Sequence, residues 1–174
     1  MVNLTDDTLP TQEMFDYFEL RTTKHIELVQ KNLRIFIDLY PLALKKIMRL
    51  SKDHDLSKFS EKEFVPYVWL TWIKKPGNED FQYDKEKIDA MTKDAWKSHI
   101  KSNSHHPEHH KDINSMTFFD IIEMICDWEA MSEELGGTTR EWYNKNVPSR
   151  WKFDKVNQIV IENLIHQLEQ AKGK

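Results

Sequence analysis

His54 and Asp55 stand side by side in Lys52-Asp53-His54-Asp55-Leu56-Ser57-Lys58-Phe59. An imidazole next to a carboxylate offers one nitrogen ligand and one oxygen group able to bridge two cations. Elsewhere the chain carries further groups of the same kind: His25 upstream, then His99, the pair His105-His106, and Asp127 in Glu123-Met124-Ile125-Cys126-Asp127-Trp128. Nitrogen and carboxylate ligands together suit divalent transition metals such as Mn, Fe, Co, Ni or Zn, and a two-metal site activates water. Metal chemistry is the first expectation.

Each residue also has an ordinary reading. His25 follows Phe18 by seven positions and precedes Val29 by four, so it shares the inward stripe of a helix, either as a core-edge histidine or as a ligand. Asp127 lies among Met124, Ala130 and Met131 and is either part of an acidic edge with Asp120 and Glu123 or a ligand, because a carboxylate among apolar neighbours is costly unless paired. His105-His106 could belong to an exposed polar loop, but they follow closely on His99, whereas His109-His110 lie beyond Pro107-Glu108 and read as solvated. Lys58 shares the side of His54 and Asp55 if the local turn is helical, and is otherwise a surface lysine.

The elements that must position these groups read as helices throughout. Four Gly and six Pro in 174 residues leave long uninterrupted stretches. From Thr11 the apolar positions Phe15, Phe18, Ile26, Val29, Leu33 and Phe36 recur at helical steps. Pro41 suits the first turn of a second helix reaching about Lys52, which leaves His54-Asp55 near its end. Ser60-Glu61-Lys62-Glu63 has the form of a capping box and predicts the start of a third helix, stopped by Lys75-Pro76-Gly77. A fourth runs from Asp84 to about Ser102 with Ile88, Met91, Ala95 and His99 on one stripe. The stretch holding His105 to His110 is a loop, because Pro107 disfavours helix at the residue before it. A fifth helix, Thr117 to Leu135, stops at Gly136-Gly137. Short helical pieces around Glu141 and a last helix from Asp154 to about Gln170 follow. The expected fold is all-α, a single domain over 1–174 of about six or seven helices.

Composition bounds the function. Hydrophobic residues at 39% and charged at 31% fit one domain with a real core. A formal net charge of -4 and no basic stripe give no general attraction to nucleic acid. The most aromatic run, Val65 to Ile73, is far shorter than the ~20 residues of a membrane span. Residues 1–7 lack the basic and then apolar order of a signal peptide, and the single Cys126 cannot form an internal disulfide. A soluble, cytoplasmic protein is expected, in the host cytoplasm if the chain is viral.

The order His25, His54-Asp55, His99, His105-His106, Asp127 on a helical background resembles the HD-domain metal-dependent phosphohydrolase superfamily. His54-Asp55-Leu56-Ser57-Lys58 looks like the H-D-x-G-K segment of the HD-GYP cyclic-dinucleotide phosphodiesterases, with Ser57 where they have Gly, and His105-His106-Pro107-Glu108 is similar to their H-H-E segment, without a G-Y-P part. The combination of His54-Asp55-x-Ser57-Lys58-Phe59, Asn103-x-His105-His106-Pro107-Glu108 and Glu123-Met124-x-x-Asp127-Trp128 looks closer still to an uncharacterised family of bacterial and viral genomes.

The resemblance implies an HD-like helical bundle with one or two divalent ions (Mn, Fe, Co, Ni, Zn or Mg). His25, His54, Asp55 and Asp127 would hold one metal, and His99, His105 and His106 with bridging Asp55 the second. Asp55 and Lys58 would be catalytic, Lys58 by neutralising phosphoryl charge, while Asn103 and Glu123 would fix ligand rings by hydrogen bonds. The implied activity is hydrolysis of a nucleotide or other small phosphate ester, a nucleoside monophosphate first among the candidates. The alternatives are a diiron oxygenase built on the same ligands, revealed by strict dependence on Fe(II) and O2, and a non-catalytic metal-containing binding or regulatory protein, revealed by metal retention without turnover.

Overall fold

A computed structural model describes residues 9–173; the segment 1–7, read above for a signal peptide, lies outside the described residues. Seven α-helices and no strand form among the described residues: α1 Gln12–Leu39, α2 Leu44–Asp53, α3 Phe64–Ile73, α4 Lys85–Ser102, α5 Phe118–Leu135, α6 Thr139–Arg150 and α7 Lys155–Ala171. The all-α expectation therefore holds. No helix of the described residues is long and apolar enough to cross a membrane.

The chain divides into two compact units. Of the described residues, one unit comprises 9–23 with Asp55–Ser102, the other Lys24–His54 with 103–173. Helix α1 contributes its first part to one and its remainder to the other.

In the first unit, α3 is apolar on nearly every side, so Tyr67, Val68, Trp69 and Trp72 are buried with Met14 and Phe18 of α1 and Ile88 and Ala95 of α4. The rings of Phe59 and Phe64 lie 5.5 and 5.4 Å from that of Phe18. Pro66 falls within the first turn of α3, where its missing N–H leaves no intrahelical bond unmade.

The expected capping box at Ser60 is not formed. Helix α3 begins at Phe64, and Glu63, at its N-cap, makes no side-chain cap bond because its carboxylate turns inward. The pattern placed the helix start three residues early.

In the second unit, Val29, Leu33 and Phe36 of α1, Ile47 of α2, Ile121, Ile122 and Ile125 of α5 and Ile161, Leu164 and Ile165 of α7 form the core. Truncating one such side chain, Phe36→Ala for example, is expected to cost about 3–5 kcal/mol. Helix α5 is fixed at both ends. Thr117 and Asp120 close a reciprocal capping box, and Gly136 ends the helix in the left-handed region at φ 78°.

The region around Glu141 is not a set of short pieces but the continuous helix α6, started by a second capping box between Thr138 and Glu141. Pro148 sits inside it without breaking it. Lys172 binds Glu129 and Glu133, and Arg140 grips Glu169 through two nitrogens, tying α7 to α5 and α6.

Candidate metal centre

Three helices of the second unit deliver His25, His54, Glu123 and Asp127, and the loop before α5 adds His105. His25 rides the inward stripe of α1 with Val29, Leu33 and Phe36 and is buried. His54 caps the C-terminus of α2 and is also buried. Glu123 and Asp127 are four residues apart on α5, so they share one face. Asp127 Oδ1 lies 3.0 Å from His25 Nε2 and 4.0 Å from His54 Nε2. Ligand atoms that share one cation at about 2.0–2.1 Å are themselves separated by roughly 3–4 Å. The spacing fits.

Glu123 holds the histidines from behind. Its Oε1 lies 2.9 Å from His54 Nδ1 and 3.4 Å from His105 Nδ1. An ionised carboxylate only accepts, so each Nδ1 presents its N–H there, and His54 turns its other nitrogen, Nε2, toward Asp127. Burial alone would raise the Glu123 carboxyl, but the hydrogen bonds from His105 and His54 outweigh it and push it down to about 2. Asp127 follows the same balance: burial opposes its charge, and the His25 hydrogen bond with the surrounding imidazoles holds its carboxyl well below the usual range. His54, His105 and Glu123 each offer a ligand atom within 4.8 Å of the others. These three buried groups could hold a metal ion.

The first unit carries its own group, built where the chain leaves α2. His54 leaves the helical region at ψ 123°, Asp55 turns left-handed at φ 57°, and a 3-10 turn from Leu56–Phe59 follows. That reversal brings the Lys58 ammonium back to Asp55 Oδ2 at 2.5 Å. Helix α4 supplies His99, buried as its stripe requires, with Nε2 3.2 Å from Asp55 Oδ1 and Nδ1 3.1 Å from Glu63 Oε2. Ser57 donates its hydroxyl to Glu63 Oε2 at 2.8 Å and stands 3.0 Å from His99 Nδ1. The Tyr67 ring packs 5.2 Å from that of His99. A carboxylate on Nδ1 orients the ring and leaves Nε2 for a ligand's work.

Residues 14–171 match the model of a family of unknown function, DUF5662. The chain belongs to the DUF5662 family. No curated protein and no solved structure matches it.

Among the residues expected in this DUF5662 chain, His25, His54, Glu123 and Asp127 come together with His105 in the second unit, and Asp55, Lys58 and His99 come together in the first. The His106 ring lies 4.2 Å from that of His105, and His106 is partly buried. Asn103 is buried, and its carbonyl accepts the His106 N–H at 3.3 Å. His109 is exposed as expected, but His110 is not simply solvated: its Nε2 meets the Ser104 carbonyl at 2.8 Å.

The acidic-edge reading separates into two. Asp120 serves the α5 cap, accepting from Thr117 and Ser104, whereas Glu123 and Asp127 face the histidines. In the sequence Glu63 carries only the signature of a helix cap and Ser57 that of a motif position, and their meeting at His99 follows from the tertiary fold. The signal was present as a buried-type segment, Phe64 to Trp72, beginning right after Glu63.

Proposed function

We propose that this DUF5662 chain is an HD-type metal-dependent phosphohydrolase acting on a nucleotide or another small phosphate ester, a nucleoside monophosphate first. The observation that carries the reading is Asp127 Oδ1 set 3.0 and 4.0 Å from the Nε2 atoms of His25 and His54, with the other nitrogen of His54 held on buried Glu123. Nitrogen and carboxylate donors in that arrangement suit a divalent first-row ion. When bound, such an ion supplies Lewis-acid activation of water for attack at phosphorus.

His25, His54 and Asp127 are assigned to hold the ion, with Glu123 fixing the rings of His54 and His105. Asp55 follows His54 directly in the chain and is assigned, with His99, His105 and His106, to the remaining ligands of the resemblance. Glu63 and Ser57 hold His99 by its Nδ1 side. Asp55 orients the attacking water, and Lys58 neutralises charge that develops on the phosphoryl oxygens. Water oxygen bonds to phosphorus, the ester P–O bond breaks, and the alcohol leaves with a proton.

A small substrate agrees with the net charge of -4, which gives little to track a polymer backbone. The test is competitive hydrolysis of mononucleotides, dinucleotides and single-stranded oligomers with Mn, Fe, Co, Ni, Zn and Mg in turn, following released phosphate and product ends separately. Metal-dependent phosphate release from mononucleotides is expected. Salt-sensitive cleavage of oligomers with inert mononucleotides would make it a nuclease, and turnover strictly requiring Fe(II) and O2 would make it an oxygenase.

A further inference from the structure

Tyr67 stands one turn after Glu63 on α3, and its side chain is a misfit for the place it occupies. It is 8% exposed and packed with Val68, Trp72 and Ile88 in the core of the first unit. Its hydroxyl oxygen is shielded from solvent and has no hydrogen-bond partner among the described residues. A phenylalanine would fill the same volume without burying a polar atom, and an unmet buried hydroxyl is destabilising because it has forfeited its bonds to water. Tyrosine at this position calls for a partner.

The surroundings say what kind. The His99 ring lies 5.2 Å from the Tyr67 ring, and the Lys58 ammonium lies 5.4 Å from the centre of its face. A phenol keeps its proton at neutral pH, so the group is a hydrogen-bond donor. The carboxylates of Asp55 and Glu63 already take other donors: Asp55 binds Lys58, and Glu63 binds Ser57 and His99. Lys58 keeps 18% side-chain exposure, so the cover over this ring is a flexible stem that can shift toward an incoming anion.

We propose that the Tyr67 hydroxyl is a phosphoryl-binding group, donating a hydrogen bond to one phosphoryl oxygen while Lys58 supplies charge to another. This rests on the phosphohydrolase reading and extends it. A phosphoryl group presents several acceptor oxygens at once, so an ammonium and a neutral phenol can bind it together. Tyr67 is thereby a positioning and selectivity residue for phosphate.

The experiment is calorimetric titration of inorganic phosphate into the full chain saturated with Mn2+, for wild type and Tyr67→Phe, alongside thermal unfolding of both. Wild type binds phosphate, Tyr67→Phe binds it roughly ten- to a hundred-fold more weakly, the worth of one hydrogen bond to a charged group. Its unfolding midpoint is unchanged or higher, because the substitution removes a buried hydroxyl that has no partner in the fold.

Equal phosphate affinity in the two proteins overturns the role of Tyr67 and leaves the hydrolase reading standing. A lower midpoint in Tyr67→Phe also overturns it, since the hydroxyl would then serve the fold. Absence of phosphate binding by wild type, together with absence of turnover, overturns both.

Discussion

Asp55 is the non-glycine residue with positive φ among the described residues, at 57°. That conformation costs an ordinary L-residue roughly 1–2 kcal/mol, and Asp and Asn bear it better than most. The turn aims both carboxylate oxygens, one at His99 and one at Lys58. Asp55→Asn is therefore the informative change. It keeps the backbone and removes the charge, so bound metal should fall sharply while the fold survives, whereas Asp55→Ala should lose metal and also strain the turn. Metal content and circular dichroism of both variants check this, and undiminished metal in Asp55→Asn would remove Asp55 from the ligand set.

Lys58→Ala should keep its metal and lose about ten- to a thousand-fold in turnover, the scale of one electrostatic stabiliser. Retained activity on every substrate found would end its assigned role.

Glu123 gives a prediction in pH. Its folded carboxyl is held at about 2, below the ordinary value of 4.5, so its stabilising contribution is complete above about pH 4.5 and is lost as pH falls toward 2. The gap in unfolding midpoint between metal-free wild type and Glu123→Gln should accordingly narrow across that interval. A gap that stays constant with pH would mean that the carboxylate charge is not what holds His54 and His105.

At the scale of elements, α5 matters most, because it carries Glu123 and Asp127 on one face and is pinned at both ends. At Gly136, where φ is 78°, an added Cβ would meet nothing within 4 Å. The penalty of Gly136→Ala is thus backbone strain alone, about 1 kcal/mol, and Gly136→Asn should recover part of it. Denaturant unfolding of the two variants measures the difference. Equal stability of Ala and Gly at this position would show that the left-handed cap contributes nothing.

The helices were legible because their signals are local. The apolar stripe placed His25 and His99 inward, and Gly136 marked the end of α5. Glu63 shows where such reading stops. Ser-x-x-Glu looks the same whether the glutamate bends back to its own backbone or reaches inward to a histidine thirty-six residues away. Only the tertiary partner decides. Near Glu141 the sequence predicts only short pieces, yet Tyr143 and Val147 are buried and α6 runs on through Pro148.

For the whole molecule, the concentration of buried ionisable groups is the property to test. His25, His54, His99, His105, Asp55, Glu63 and Glu123 are all buried, an expensive set unless hydrogen bonds and a cation compensate it. Chelation should therefore lower the unfolding midpoint, and re-addition of the native ion should restore it. A ligand at a hundred times its Kd adds about 2.7 kcal/mol, well within the reach of a thermal scan. A midpoint indifferent to chelator and ion alike would mean that these groups are satisfied by hydrogen bonds within their own units.

The most direct measurement is elemental analysis of the chain purified without chelator and without a histidine tag, in wild type, Asp127→Ala and His109→Ala. Wild type and His109→Ala should retain a divalent transition metal in stoichiometric amount, because exposed His109 stands outside the ligand set, while Asp127→Ala should lose most of it. Equal metal content in wild type and Asp127→Ala, or none in wild type after incubation with each candidate ion, would contradict the metal centre itself.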